Sequence, residues 1–184
     1  MANRKELPNR AARRKAAKNR KRLGLLMLLL AVPIVAGLIY LSMPTSGPQK
    51  NEGGPAFTKH GTLTFVSQQN QEPIKQIDIE VKRDDYERAE GMMWRKSMED
   101  SQGMLFIMDA PEPQTFWMRN TYIPLDIMFV AQDNTILNIR KNAPPQTLSP
   151  QSSEGNALYV VEVNGGFSDK YGVKAGDKIS FELN

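Results

Sequence analysis

The sequence predicts a mainly β domain, a compact β-sandwich or barrel with two short helices, preceded by one transmembrane helix. Three observations carry this. Apolar and polar residues alternate with a period of two in several short runs, as in Ile77, Ile79 and Val81 between Gln76, Asp78, Glu80 and Lys82. About eight such runs, separated by turn residues, fill the C-terminal two thirds of the chain, the spacing of an all-β sandwich or barrel. Residues 23–42, LGLLMLLLAVPIVAGLIYLS, hold no charge, and twenty residues at helical rise span about 30 Å, the hydrocarbon thickness of a bilayer.

The order of segments follows from charge. The chain carries 24 Lys/Arg and 20 Asp/Glu, a net +4. Residues 1–22 hold ten Lys/Arg against the single acid Glu6, and the remaining residues hold 14 Lys/Arg against 19 Asp/Glu. The basic character is therefore a tail. A tail of this kind stays in the cytoplasm and contacts an anionic leaflet. This makes residues 23–42 a single-pass anchor in a bacterial cytoplasmic (inner) membrane and the C-terminal domain extracytoplasmic or periplasmic. Pro33 and Gly37 suit a membrane helix. Cleavage after a small-residue site at Val35-Ala36-Gly37 is the competing expectation, but it would leave Leu38–Leu41 exposed at a new terminus. Residues 43–58, rich in Pro and Gly, form a linker whose coil reach is about 20 Å. The β domain occupies 59–184. A nucleic-acid partner is disfavoured, since the folded part is acidic.

Within the domain, strands are expected around Leu63 and Phe65, over 76–82, and at 103–108, 114–119, 125–130, 135–140, 157–164 and 178–183. A first helix begins at Asp84, with Glu87 completing a capping box, and stops at Gly91. A second lies near 166–171 and stops at Gly172. Lys174-Ala175-Gly176-Asp177 turns the chain into the last strand.

The run TFWMRNTYIPLDIMFV, residues 115–130, is apolar yet holds Arg119 and Asp126. A hairpin of 114–120 with 125–130 sets Phe116 opposite Phe129 and Met118 opposite Ile127 on one side. Trp117 then faces Met128 and Arg119 faces Asp126 on the other. Two readings follow: a structural cross-strand ion pair, or a polar-ligand site. The site would be built from Trp117, Arg119 and Asp126 with Asn120 and Thr121 in the adjoining loop. Trp94 and Arg95, after the first helix, either add to that face or are a packed indole beside a solvated guanidinium.

The segments Gly91-Met92-Met93-Trp94-Arg95, Gly103-Met104-Leu105-Phe106, Phe116 through Ile127, Val161-Glu162-Val163-Asn164-Gly165-Gly166 and Gly172 through Asp177 recur in this order in a prokaryotic family. Over residues 61–183 the chain resembles domain of unknown function 192. The resemblance implies a compact, mostly β, sandwich-like fold, and it implies no established activity and no catalytic residue. Met92 stands where leucine is expected and Met108 where phenylalanine is common, both volume-tolerant exchanges.

Composition excludes much chemistry. There is no cysteine and one histidine, His60, so thiolate nucleophiles, Cys-held zinc and a His-based triad within one chain are ruled out. Seven of the ten methionines lie between Met92 and Met128. They are read as core filler and not as a Cu(I) site, and no metal or cofactor is expected. Asp78, Glu80, Asp126, Glu162 and Glu182 all lie on expected strands, with Asp78 and Glu80 facing solvent. The expected function is a membrane-anchored binding or interaction module for a small polar ligand or an envelope protein. The alternatives are a carboxylate-dependent envelope hydrolase built on Asp126 plus another acid, and a scaffold docking another membrane protein.

Overall fold

A computed structural model describes residues 54–184. The expected tail, anchor and most of the linker lie outside the described residues. Among the described residues no helix is long and apolar enough to cross a membrane.

The elements are β1 (Gly61–Val66), β2 (Pro73–Lys82), α1 (Asp85–Glu90), β3 (Gln102–Phe116), β4 (Leu125–Val130), β5 (Ile136–Ala143), β6 (Gln151–Asn164), α2 (Phe167–Tyr171) and β7 (Lys178–Leu183). All seven strands belong to one sheet, in the order β5-β4-β6-β3-β2-β1-β7. Every pairing is antiparallel except β2 with β3, whose connection carries α1. The sheet curls into a half-barrel. Its two edges touch at one point, where Thr135 bridges Lys178 and Ile179 N–H donates to Asn134 at 2.9 Å. The architecture is thus one curled sheet and not the two stacked sheets of a sandwich.

Alternation gives that sheet two apolar faces. Leu63, Phe65, Ile79, Leu105, Met128 and Val161 fill the inside of the curl, where Phe167 of α2 packs on Phe65 with ring centroids 5.4 Å apart. Met104, Phe106, Ile127, Phe129 and Val160 face outward and are covered by Met92, Met118 and Ile123 from the connecting segments. Met128 lies in the inner core, and Met92, Met104 and Met118, with Met98 and Met108 packed against them, lie in the outer one, as filler of irregular apolar space would.

The helices start and stop as expected. Asp84 accepts from Glu87 N–H at 2.8 Å, and the Glu87 carboxylate accepts from Arg83 N–H, one residue before the cap. Gly91 ends α1 with φ +46°, a conformation that costs a residue with a Cβ.

Two strand expectations are corrected. The runs 103–108 and 114–119 belong to one strand, β3, which ends at Phe116. Pro111 and Pro113 mark an irregular stretch, where the pairing with β6 slips between Ile107 and Glu112; the strand bends there instead of ending. The hairpin of 114–120 with 125–130 does not form. β4 lies between β5 and β6 and all six of its residues are buried, so neither edge is left for β3.

Arg119 and Asp126 are therefore not partners. Asp126 points inward beside a bulge, where Leu125 faces Ala143 but Ile127 faces Arg140. Its Oδ1 accepts from Asn142 N–H at 2.8 Å and Gly166 N–H at 3.0 Å, and its Oδ2 accepts from Ser168 N–H at 2.8 Å and from the Ser168 hydroxyl. Gly166 has no side chain to cap α2, and Asp126 supplies the missing acceptor from another strand. Replacing Asp126 by alanine strands three backbone amides. At roughly 1–3 kcal/mol for each buried donor left unsatisfied, the loss is on the order of several kcal/mol. Urea unfolding of Asp126→Ala should show it as a lower midpoint, with Asp126→Asn losing less.

Candidate functional site

The outer face of the sheet positions the site. At one level, five neighbouring residues run across the strands: Glu80, Met104, Glu162, Ile127 and Arg140. Side chains at paired positions share a face. Glu80 and Glu162 therefore flank Met104, two strands or about 10 Å apart.

Their environments differ. Glu80, expected in solvent, is buried because the chain before β1 and the segment after α1 close over it. It binds Lys82 Nζ at 2.9 Å and the Arg95 guanidinium, and it takes a weak bond from Thr58 N–H at 3.4 Å. Burial pushes the Glu80 carboxyl up, but the Lys82 hydrogen bond and the Arg95 charge outweigh it, so it stays below the ordinary carboxylate range.

Glu162 has no such partners. It is 4% exposed, and burial alone pushes it up to about 8. The neighbours on either side are Met104 and Ile127, and no donor among the described residues reaches its carboxyl group.

Glu162 lies at the floor of a cavity of about 530 Å³. α1 and Gly91–Met93 form one wall; Gln114–Trp117, Leu148 and Pro150 form another. Arg119 and Thr121 stand with Trp117 on the side of the loop that follows β3. The lining is largely apolar, with Met92 and Phe106 buried and Phe116 half-buried; Phe106 and Phe116 meet edge to face at 5.0 Å. Arg88 also borders it, but its guanidinium is spent on Asp85 at 2.6 Å and Asp109 at 2.9 Å. Arg119 is exposed and sits over the Trp117 ring at 5.6 Å; no carboxylate among the described residues pairs with it.

The structure brings three of the expected site residues to this cavity: Trp117, Arg119 and Thr121. Four lie elsewhere. Asp126 is on the inner face. Asn120, at φ +55°, braces the loop: its carbonyl accepts from Trp94 N–H at 2.8 Å and its amide nitrogen approaches the Met93 sulfur at 3.7 Å. Trp94 is 47% exposed and meets Tyr122 edge-on at 6.1 Å. Arg95 is buried on Glu80, the reverse of a packed indole beside a solvated guanidinium. Glu162, named in the sequence only among the strand carboxylates, is the residue not expected at the site. Its signal was there: Leu158-Tyr159-Val160-Val161-Glu162-Val163 is apolar on both faces of a strand except at the acid.

A buried neutral acid links stability to pH. Between its unfolded value near 4.5 and its folded value of about 8, the folded state keeps a proton that the unfolded chain has released. This contribution is complete below 4.5, falls as pH rises, and is gone above 8, a span of up to about 5 kcal/mol. Glu162→Gln should flatten that slope and raise the urea midpoint at pH 8 relative to wild type. A slope that persists in the variant would place the titrating group elsewhere.

Comparison with known proteins gives the lineage. The model of the family DUF192, described as "Uncharacterized ACR", matches residues 65–181. A search of curated proteins gives no match. Two solved structures share the fold. One, from Sinorhizobium meliloti 1021 and described as a "putative transcription regulator", is 30% identical at a TM-score of 0.64, covering 68% of this chain and 98% of that one. The other, a protein of unknown function from Novosphingobium aromaticivorans DSM 12444, is 34% identical at a TM-score of 0.63, covering 73% of this chain and 99% of that one. The chain belongs to the DUF192 family.

Proposed function

We propose that this protein is a binding module carried on the outer side of a bacterial cytoplasmic membrane, and that the cavity above Glu162 is its ligand site. The observation that carries the reading is the cavity's composition. It is a largely apolar hollow of about 530 Å³, within the range of small-molecule sites, with an unpaired guanidinium on one side and an unpartnered acid at the floor. Core packing alone has no use for a buried acid there.

The anchor is inferred from residues 1–42, a basic tail followed by an uncharged span of bilayer length. A regulator's contact with DNA fits this chain poorly, because residues 23–184 carry 14 Lys/Arg against 19 Asp/Glu. A hydrolase built on Asp126 is not favoured either, since that carboxylate is turned away from the cavity and occupied by backbone amides. One observation favours a second reading. Trp94, Trp117 and Leu148 are exposed at 47%, 51% and 67%, so an apolar segment of a partner membrane protein is the other class of occupant.

The chain has two tryptophans, and Trp94→Phe leaves Trp117 as the sole reporter at the cavity. In the full-length protein in liposomes, N-acyl amino acids and short peptides that enter the site should shift Trp117 emission. Arg119→Met should weaken anionic ligands about tenfold, the scale of one charge-assisted bond, without moving the unfolding midpoint. Emission indifferent to every compound would defeat the reading.

A further inference from the structure

We infer that Glu162 acts as an uncharged acid that recognises the buried end of the ligand, and that the ligand is an amphiphile: an amide or carboxyl head at Glu162, an apolar body, and a negative charge at Arg119. This rests on the cavity being the binding site.

The first ground is the missing partner. Among the described residues, the one buried side-chain polar atom with no exposure and no hydrogen bond is Arg95 Nε, which belongs to the Glu80 cluster. Glu162 escapes that condition because its carboxyl group opens on the cavity, although the residue is 4% exposed. Asp126 and Glu80 show how this fold satisfies a buried acid when the purpose is structural. A methionine or leucine at 162 would pack between Met104 and Ile127 at lower cost. The hydrogen-bonding capacity of the acid is thus directed at whatever occupies the cavity.

The second ground is the charge around it. From β2, Glu80 is held by Arg95 and Lys82. From α1, Arg88 is held by Asp85 and Asp109, and Glu90 lines the wall as a like charge. From β5, Arg140 reaches Glu154 at 3.4 Å and the Ser152 carbonyl at 3.0 Å. Arg119, from the loop after β3, leans on Trp117. Among the described residues no cation is set against Glu162, so its neutral form is the resident one. A neutral carboxyl group presents an O–H donor beside a C=O acceptor, the complement of a carboxamide or of a second carboxyl. Met92, Phe106 and Phe116 contact the apolar body, and Arg119 is left for the anionic end.

Three eight-carbon probes separate the possibilities: the monoamide of octanedioic acid, octanoate and 8-aminooctanoate. They share the carboxylate and the chain and differ at the far end. With Trp94→Phe full-length protein in liposomes and Trp117 emission as readout, the monoamide should bind at least tenfold more tightly than octanoate at pH 6. It should lose that advantage by pH 9, as Glu162 ionises. Glu162→Gln should keep the preference and abolish the pH dependence; Glu162→Leu should reduce the monoamide to the level of octanoate. Tightest binding of 8-aminooctanoate, strengthening as pH rises, would overturn the inference, since Glu162 would then act as an anion. Equal binding of all three at every pH would also overturn it while leaving the cavity as a site. Absence of binding by any probe would remove both.

Discussion

Three backbone amides and a hydroxyl converge on Asp126, and the closure of the half-barrel depends on that convergence. β4 is buried along its whole length, and the strand beside it carries a bulge that frees the Asn142 N–H from the ladder. The turn into α2 frees the amides of Gly166 and Ser168 as well. Buried amides must find acceptors, and one carboxylate serves all three. With α2 fixed in this way, Phe167 seats on Phe65 inside the curl. Gly172 then ends the helix and the chain turns into β7, which pairs with β1 and touches the start of β5. The acid that looked anomalous in an apolar run is a fastener between the sheet and the segment that closes it.

Three of the four acids buried among the described residues show how environment assigns a role. Asp126 is satisfied by the backbone. Glu80 is satisfied by two cations, one of which, Arg95, is itself buried and arrives from the segment after α1. Glu162 is satisfied by neither. Its burial comes from apolar neighbours and so favours the uncharged form, whereas the cations around Glu80 favour the charged one. The two glutamates stand on the same face of the same sheet with one methionine between them. The difference lies in what covers each: the segments around Glu80 bring charge, and those around Glu162 leave a hollow. Uncompensated burial of a polar group in an otherwise consistent core is where function is expected to override packing.

Much of the fold was legible because it depends on short-range rules. The alternation in β1 and β2, the Asp84 and Glu87 cap, Gly91 and Gly172 as helix stops, and the 174–177 turn are local, and each is where the sequence places it. The site was legible only in part. Trp117 and Arg119 stand out in the sequence because they share one face of the expected hairpin, and Thr121 because it lies in the adjoining loop. The partner of Arg119 was set by the register of the expected hairpin, which places Asp126 opposite it. Asp126 instead found amides 16, 40 and 42 residues away, a choice no local pairing rule contains.

The sequence by itself determined the class of domain, its helix boundaries, the absence of cysteine, and an uncharged run over residues 23–42 behind a basic tail. These follow from periodicity, composition and charge, which act over a few residues or over the whole count. The tertiary structure alone decided that the strands make one curled sheet with two apolar faces, that Asp126 faces inward, and that Glu162 looks into a cavity. Strand order sets those outcomes, because a strand flanked on both sides turns every second residue toward a core whose coverage comes from distant segments. Whether a buried acid meets amides, cations or empty space is fixed by that coverage and by nothing adjacent in the chain.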